Sequence, residues 1–270
     1  MKQLLGKELS EFIKERQSRS VRALKLERGI IPKLVIIITI DNPVINLYVR
    51  LKKRYASDIG IDVDIHRVNQ DEVKDLLDRL NKNPSVHGII IQLPLQDPSQ
   101  TDELVNYVTP EKDVDALGYK AKFDPATPMA ILWLLSGFNV DLAGKKVVLI
   151  GRGKLVGKPL EKILNNSGVN VSVADSKTKN VIELTKDADV IITATGQPAV
   201  LTSEMIKQGA VVVDAGVASE DGKTVGDVDP AVFKRDDLTI TPQKGGVGPL
   251  TISALFENVI RSAEKISNTK

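Results

Sequence analysis

The first part of the chain alternates short apolar runs with amphipathic segments. Residues 63–68 have strand character, and runs rich in β-branched residues lie at positions 34–40 and 86–93. Such runs are typical of strands that are buried on both faces of a parallel sheet. Segments with a helical spacing of apolar residues lie at positions 8–27, 45–59 and 72–80. This alternation predicts a compact α/β unit that ends near residue 118.

The alternation begins again after a proline-containing segment at residues 123–128, which we interpret as a linker, and an apolar helix at 129–135. Five further runs with strand character lie at positions 146–150, 169–174, 190–193, 210–214 and 238–240. With helical patterns between most of them, they predict a Rossmann-type doubly wound sheet. A last amphipathic helix is predicted over 252–266, and its periodicity leaves open which domain it packs on. We therefore expect an α/β protein with two α/β domains flanking a cleft.

Composition excludes several classes of function. The 37 Lys and Arg residues nearly balance 35 Asp and Glu, with a net charge of +2, so neither a nucleic-acid footprint nor an acidic tail is present. With no cysteine and two histidines, His66 and His87, we expect no disulfide, thiolate site or metal centre. No apolar run approaches the roughly 18 residues of a membrane span, and the N-terminus lacks the apolar core of a signal peptide. A cytoplasmic protein without nucleic-acid or membrane partners is expected.

A glycine pattern after the strand at 146–150 predicts a dinucleotide site. Gly151, Gly153 and Gly157 stand between this strand and a helical segment. Glycines let the backbone approach a pyrophosphate, which amide groups and the helix dipole then bind. The spacing GxGxxxG is one residue longer than the common fingerprint, and a plain structural turn is the alternative.

The next strand end carries conflicting signals about the cofactor. Asp175 stands about where an acidic group binds the ribose hydroxyls of NAD, although it is equally compatible with a helix cap or a turn. Arg152 and Ser176 favour NADP instead, because they offer a 2′-phosphate charge-assisted contacts.

Polar residues of the first domain form a second candidate site. Tyr48 and Lys52 share one face of a predicted helix, Gln92 ends the strand at 86–93, and Asp115 precedes the linker. Short-chain dehydrogenases also contain Tyr-x-x-x-Lys, but there the pair follows the nucleotide fingerprint, whereas Tyr48 precedes it by a whole domain. Each residue also has a structural alternative, namely a surface contact for the pair, a strand-end cap for Gln92 and a turn for Asp115.

In combination, these residues resemble the bifunctional methylenetetrahydrofolate dehydrogenase/methenyltetrahydrofolate cyclohydrolase family, from about residue 34 onward. Its ordered motifs are matched by Tyr48-Val-Arg-Leu-Lys52, Ile90-Ile-Gln92-Leu-Pro94-Leu, Pro110-Glu-Lys-Asp-Val-Asp115, Thr127-Pro128, Gly151-Arg152, Val156-Gly-Lys-Pro159, Ser176-Lys-Thr178, Ala194-Thr-Gly-Gln-Pro198 and Gly245-Gly-Val-Gly-Pro249.

The resemblance implies two reactions of one-carbon metabolism. A hydride passes from the methylene carbon of the folate to NADP, with NAD as the alternative, and water then attacks the methenyl carbon to yield 10-formyltetrahydrofolate. Lys52 would be the principal catalytic residue, with Gln92 beside it, Tyr48 lining the folate pocket and Asp115 binding the amino-pyrimidine edge. A lysine that titrates near neutrality could assist proton removal from water. The family is usually a homodimer.

The resemblance also implies domain boundaries and two sets of binding residues. Residues 1–124 would form a folate-binding catalytic domain, completed by the helix at 252–270, and residues 125–251 an NAD(P)-binding Rossmann domain. The implied substrate-binding residues are Tyr48, Lys52, Gln92, Leu93, Pro94, Asp115, Gly245, Gly246 and Pro249. The implied cofactor-binding residues are Thr127, Gly151, Arg152, Gly153, Lys154, Gly157, Ser176, Ala194, Thr195, Gly196, Val217 and Thr251. No metal is implied.

Several positions depart from the family pattern. Ile40 and Ile45 replace a glycine and a serine near Lys52, Ala116 and Gly153 replace a glycine and a serine, Gln243-Lys244 replaces Val-Pro, and Asp175 replaces a histidine. The first two changes remove polar support near Lys52, so a dehydrogenase with weak or lost cyclohydrolase activity is one alternative. A nucleotide-binding protein without catalysis is another, and a different two-domain α/β dehydrogenase is a third. Lys244 either meets the glutamate tail of the folate or points to solvent.

Overall fold

The computed structural model describes residues 1–220 and 223–267, which divide into two compact units. We name each unit by its main sheet. The six-stranded unit contains residues 1–10 and 127–251. The three-stranded unit contains residues 11–126 and the described residues from 252 onward.

The three-stranded unit has a parallel sheet with the strand order β3-β2-β4. Its strands are β2 (Lys33–Ile38), β3 (Asp62–Arg67) and β4 (Gly88–Ile91). Its helices are α2 (Pro43–Ile59), α3 (Val73–Lys82), α4 (Thr101–Tyr107), most of α1 (Gly6–Arg28) and most of α8 (Val247–Ser267). Central strand β2 and its neighbour β4 are almost entirely buried, as their continuous apolar runs predict.

Local sequence signals determine where α2 begins and ends. The Asn42 side chain accepts hydrogen bonds from the backbone nitrogens of Val44 (2.8 Å) and Ile45 (3.4 Å), and Pro43 occupies the first turn, where no backbone donor is needed. Gly60 ends the helix with a φ of +80°, a left-handed conformation that favours glycine. Both ends of the helix are therefore capped. Tyr48 and Lys52 lie within it, four residues apart, and so stand on successive turns of one face.

The six-stranded unit has a parallel sheet with the strand order β1-β11-β8-β7-β5-β6. Its strands are β1 (Lys2–Gln3), β5 (Val147–Ile150), β6 (Val171–Ala174), β7 (Val190–Thr193), β8 (Val211–Asp214) and β11 (Thr239–Ile240). Its other elements are α5 (Ala126–Gly137), which starts one residue before the unit, α6 (Gly157–Asn166), α7 (Val181–Thr185) and an antiparallel ribbon of β9 (Ala218–Glu220) and β10 (Lys223–Val225). From β5 onward the order is that of a doubly wound sheet, which confirms the predicted fold class.

The N-terminal segment differs from the sequence prediction, which placed residues 1–124 in one domain. Residues 1–10 belong to the six-stranded unit because β1 extends its sheet beside β11. The backbone nitrogens of Lys2 and Leu4 donate to the carbonyls of Leu238 and Ile240, both at 2.9 Å. A two-residue edge strand that is held through its backbone has no side-chain periodicity, so the pattern of apolar residues could not reveal it.

Helix α8 contacts the three-stranded unit through a buried polar network. The Tyr55 hydroxyl donates to Gln17 Oε1 at 2.8 Å and lies 3.0 Å from Ser253 Oγ, and the Tyr55 ring stacks on Phe256 with centroids 5.3 Å apart. Further along the helix, Asn258 Nδ2 donates to the carbonyl of Val114 at 2.9 Å. These contacts explain why the chain after residue 251 belongs to this unit.

Candidate active site and dinucleotide cradle

Lys52 and Gln92 meet at the carboxyl edge of the three-stranded sheet. Lys52 projects from α2, while Gln92 directly follows β4 and donates its backbone N–H to the carbonyl of Ile37 at 2.9 Å. The Lys52 ammonium donates to Gln92 Oε1 at 2.8 Å, and Gln92 Nε2 donates to the carbonyl of Leu93 at 3.2 Å. The hydrogen bond to the Leu93 carbonyl thus orients the Gln92 side-chain amide so that its oxygen points to Lys52.

Asp115 supplies the opposite charge to this pair. Lys52 and Asp115 are both half-buried. Burial lowers the pKa of Lys52, and the negative charge of Asp115 opposes that change. Burial raises the pKa of Asp115, and the positive charge of Lys52 opposes that rise. Because burial brings the two pKa values towards each other, a proton at this site is held less tightly than on an exposed lysine.

A neighbouring carboxylate builds the loop that carries Asp115. Asp113 is buried, and its carboxylate accepts hydrogen bonds from the backbone nitrogens of Gly118 (2.8 Å) and Leu117 (3.4 Å). Burial is the main cause that raises the pKa of Asp113 to about 6, and the charge of Asp115 adds to it. Between the two aspartates and these donors, Ala116 adopts a φ of +56°, which explains why the family usually has glycine there.

Lys112 of the same motif has a structural role. Its ammonium is buried and donates to the carbonyls of Leu80 (2.9 Å), Asn81 (2.8 Å) and Asn83 (2.6 Å), at the C-terminal end of α3. The carbonyls of Leu80 and Asn83 also accept backbone N–H groups, from Asn83 and Val86 respectively, both at 3.2 Å. The lysine adds a charged donor to the carbonyls at this helix end. The sequence motif 110–115 thus contains two residues that stabilise the local backbone, Lys112 and Asp113, and one residue, Asp115, that faces Lys52.

The remaining predicted substrate residues fall in both units. Tyr48 is half-buried one turn before Lys52, and Leu93 and Pro94 follow Gln92 directly and are joined by a cis peptide bond. Gly245, Gly246 and Pro249 belong to the six-stranded unit, where Gly6 packs so closely that a Cβ on it would lie 1.9 Å from the Gly246 carbonyl oxygen.

Ile40 and Ile45, which replace the family's glycine and serine near Lys52, give the structure no polar group at these positions. Ile45 lies two turns before Lys52 on α2 and is only 3% exposed. Ile40 lines a surface pocket of about 550 Å³ at the carboxyl ends of β2 and β3. Neither position presents a hydroxyl or a bare backbone to the lysine.

The glycine turn after β5 forms a tight backbone cradle. Gly151 has a φ of +104°, and a Cβ there would lie 2.5 Å from the carbonyl oxygen of Ala194. A Cβ on Gly157, the first residue of α6, would lie 2.1 Å from the carbonyl oxygen of Gly151. A Cβ on Gly153 would meet nothing within 4 Å, so the serine usual in the family would fit there. The turn therefore needs glycine at two of its three glycine positions.

A second loop lies beside this cradle and rests on a buried carboxylate. Ala194, Thr195 and Gly196 directly follow β7, and the Ala194 N–H donates to the carbonyl of Ile150 at 2.8 Å. Asp227, which is fully buried, accepts from the backbone nitrogens of Thr195 (2.6 Å) and Gln197 (3.1 Å). Burial raises the pKa of Asp227, and the nearby charge of Asp214 adds to this effect.

Arg152 and Asp175 occupy neighbouring strand ends at the same edge. Ile150 pairs with Ala174, so Arg152 and Ser176 each stand two residues beyond paired positions. The Arg152 guanidinium binds Glu161 of α6. The Asp175 carboxylate accepts from the Lys177 N–H at 2.9 Å and the Thr178 hydroxyl at 3.4 Å, which is the geometry of a turn residue.

The other predicted cofactor residues also lie in the six-stranded unit. The Thr251 and Thr127 hydroxyls are 3.4 Å apart, and Lys154 and Val217 are exposed in the loops that follow β5 and β8. Across residues 1–220 and 223–267, no group of histidine and acidic side chains could hold a metal ion. Within the same residues, no helix is both long enough and apolar enough to cross a membrane.

Sequence reasoning missed three residues that the structure connects to these sites. Asp113 had a signal, since it lies inside the motif that contains Asp115. Asp227 and Glu161 had none, because each acts on a residue from another segment through a contact that no local spacing reveals.

Two family models together match nearly the whole chain. Residues 4–115 match the catalytic domain of tetrahydrofolate dehydrogenase/cyclohydrolase, and residues 125–267 match its NAD(P)-binding domain. The chain belongs to the tetrahydrofolate dehydrogenase/cyclohydrolase family. It is 41% identical to the bifunctional protein FolD of Lactobacillus helveticus over 273 residues, covering 96% of each chain. Membership confirms the resemblance seen in the ordered motifs.

Solved structures agree with this assignment. The bifunctional FolD enzyme of Campylobacter jejuni superposes with a TM-score of 0.93 at 39% identity and covers 98% of this chain and 99% of its own. The Trypanosoma brucei dehydrogenase-cyclohydrolase, which was solved with NADP and an inhibitor, gives a TM-score of 0.89 at 29% identity and 96% coverage of both chains. This family member is thus a bifunctional enzyme of folate one-carbon metabolism with an NAD(P)-binding domain.

Proposed function

We propose that the protein oxidises 5,10-methylenetetrahydrofolate to 5,10-methenyltetrahydrofolate with NADP and hydrolyses the product to 10-formyltetrahydrofolate. The observation that carries this proposal is the Lys52 ammonium, which donates to Gln92 while it faces Asp115. A partly buried amine of lowered pKa, held by a neutral amide and opposed by a carboxylate, is suited to move one proton without a metal.

The dehydrogenase step depends mainly on positioning. Asp115 accepts hydrogen bonds from the amino-pyrimidine edge of the folate, and Tyr48 packs against the pterin. The glycine turn around Gly151 and Gly157 fits a dinucleotide. Glycine at these two positions lets the turn pack tightly against Ala194 and against itself, and the turn leads directly into α6. The backbone amides at such a helix N-terminus bind a pyrophosphate. When bound, the nicotinamide accepts the hydride that leaves the methylene carbon.

The cyclohydrolase step needs a base and then an acid. Water attacks the methenyl carbon, and its proton passes to the neutral form of the Lys52 amine. The carbon–N5 bond then breaks, and the ammonium returns a proton to N5, while the second proton of the water is released with the overall reaction. Gln92 keeps the amine in place between the two transfers. Because one lysine serves this step beside the folate, both reactions can use the same bound substrate.

The choice of NADP is supported by Arg152 and Ser176 at adjacent strand ends. The Trypanosoma brucei relative with bound NADP supports the same choice. Asp175 no longer argues strongly for NAD, since its carboxylate closes its own turn. A homodimer in the cytoplasm is proposed on the family resemblance alone.

A dehydrogenase with weak cyclohydrolase activity is the second candidate, favoured by the buried Ile45 in place of a serine. One assay separates the two candidates: the protein is mixed with methylenetetrahydrofolate and either NADP or NAD, and reduced nicotinamide and methenyltetrahydrofolate are followed at separate wavelengths. Reduction of NADP without lasting methenyl absorbance supports the bifunctional enzyme. Accumulating methenyl absorbance supports the second candidate, and no reduction of either dinucleotide contradicts both.

A further inference from the structure

Arg152 is already bound by a carboxylate of its own unit. Arg152 Nε lies 2.7 Å from Glu161 Oε2, and Arg152 Nη2 lies 3.0 Å from Glu161 Oε1. This two-point pairing uses the side of the guanidinium formed by Nε and Nη2. The Glu161 side chain is 18% exposed and the Arg152 side chain 52%, so the glutamate is the more firmly packed partner.

The same side of the guanidinium is one that a phosphate uses. Two parallel N–H groups match two oxygens of a carboxylate or of a phosphate equally well. A 2′-phosphate that approaches Arg152 must therefore displace Glu161 from the guanidinium. Otherwise it must accept hydrogen bonds from the remaining side, formed by Nη1 and Nη2, next to the negative charge of Glu161. NAD has a hydroxyl at this position and needs neither arrangement.

Asp175 adds a second negative charge near the guanidinium. The hydrogen bond with Glu161 is the main cause that raises the pKa of Arg152, and the charge of Asp175 contributes to the same rise. One arginine thus faces two carboxylates before any ligand arrives. An incoming dianion gains less from an arginine in these surroundings than from an unpaired one.

We infer that Glu161 is a specificity-determining residue that competes with the 2′-phosphate of NADP for Arg152 and so narrows the preference for NADP over NAD. This inference rests on the proposed dinucleotide site. Glu161 stands in the second turn of α6, outside the glycine turn and outside every motif that carries the family resemblance.

The opposite role would also explain the geometry, since a glutamate can orient an arginine towards a phosphate. The two roles differ in sign. A competitor weakens NADP binding, so its removal strengthens that binding, whereas an orienting residue supports NADP binding, so its removal weakens it.

The test measures the dissociation constants of NADP and NAD by calorimetry for the full chain and for Glu161→Gln, which keeps the shape of the side chain. We expect NADP to bind about twofold to fivefold more tightly in the variant, a range set by the small contribution of exposed ion pairs to stability, and NAD to change by less than about 1.5-fold. Asp187→Asn is the matched control. It removes one exposed carboxylate of the same unit just before β7, at the amino edge of the sheet, opposite to Arg152.

A double-mutant cycle shows whether the effect passes through Arg152. In an Arg152→Ala background, Glu161→Gln should leave the affinity for NADP unchanged, because the shared partner is gone. Weaker NADP binding in Glu161→Gln, or an equal change for both dinucleotides, overturns the inference and leaves the proposed function standing. Failure of the unmodified protein to bind either dinucleotide overturns both.

Discussion

Asp113→Asn tests how the loop that carries Asp115 is held. The carboxylate of Asp113 accepts two backbone N–H groups in a buried position, and its pKa rises from 3.8 to about 6. In the unfolded chain the Asp113 carboxyl group has its ordinary pKa. The folded state therefore binds the proton of this group more strongly than the unfolded state does. Stability from this group is therefore present at pH values below about 4 and is lost as the pH rises through about 6.

The size of this effect follows from the pKa shift. A difference of about two pKa units corresponds to about 3 kcal/mol of unfolding free energy. Asparagine cannot titrate, so the variant lacks this pH dependence. The stability of the unmodified protein relative to Asp113→Asn should therefore decrease by about 2.4 kcal/mol between pH 4 and pH 7, with most of the change below pH 6.

Urea unfolding followed by circular dichroism measures this difference at each pH. Fluorescence is unsuitable because the one tryptophan of the chain, Trp133, lies in the six-stranded unit, whereas Asp113 lies in the other. Asp62→Asn, which removes an exposed carboxylate at the start of β3, serves as the control. The stability of the unmodified protein relative to this variant should not show the decrease that is expected relative to Asp113→Asn. If the difference in stability between the unmodified protein and Asp113→Asn stays constant across this pH range, Asp113 does not bind its proton more strongly in the folded state.

Two further changes test other parts of the structure. Ala116→Gly removes the strain of a left-handed backbone conformation and should raise the unfolding free energy by about 0.5–1 kcal/mol. The urea midpoint should rise accordingly, and an unchanged or lower midpoint would show that the backbone is not strained at this residue. Asp227→Asn replaces one of the two carboxylate oxygens that accept hydrogen bonds from the loop at 194–197 by a donor. Binding of NADP and of NAD, measured by calorimetry, should weaken about equally, by roughly tenfold. Weaker binding of NADP alone would contradict a role of Asp227 in holding the loop.

The sequence predicted well what depends on local patterns. The apolar runs marked strands β2, β4, β5 and β7 because strands buried on both faces must be apolar throughout. Strand ends were informative too. Gln92 was singled out because ligands bind at the carboxyl edges of open parallel sheets, and Gly151 because its glycine pattern stands between a strand and a helix. Lys52 was singled out with Tyr48 as a helical pair, and the structure places its ammonium on Gln92, a residue forty positions away.

The contacts that hold the candidate site could not be predicted in the same way. Asp227 reaches Thr195, Glu161 reaches Arg152, and β1 reaches the far edge of a sheet built from residues after 146. The first two contacts each join a single polar side chain to another part of the chain, and the third is a backbone pairing of two residues. Neither kind of contact has a sequence period from which its partner can be predicted. The same holds for Asp175, whose acidic character suggested a ribose contact while its hydrogen bonds close a turn.

Lys52→Met tests whether Lys52 transfers the proton in the cyclohydrolase step. The decay of methenyltetrahydrofolate absorbance, corrected for the uncatalysed reaction, should slow by at least about 100-fold in this variant. Calorimetry should give a dissociation constant for NADP within about twofold of that of the unmodified protein, and Lys53→Met, the same change at the exposed neighbouring lysine, should keep the full rate of hydrolysis. Hydrolysis by Lys52→Met within a few-fold of the unmodified rate, or a loss of its NADP binding, would contradict the assignment of this role to Lys52.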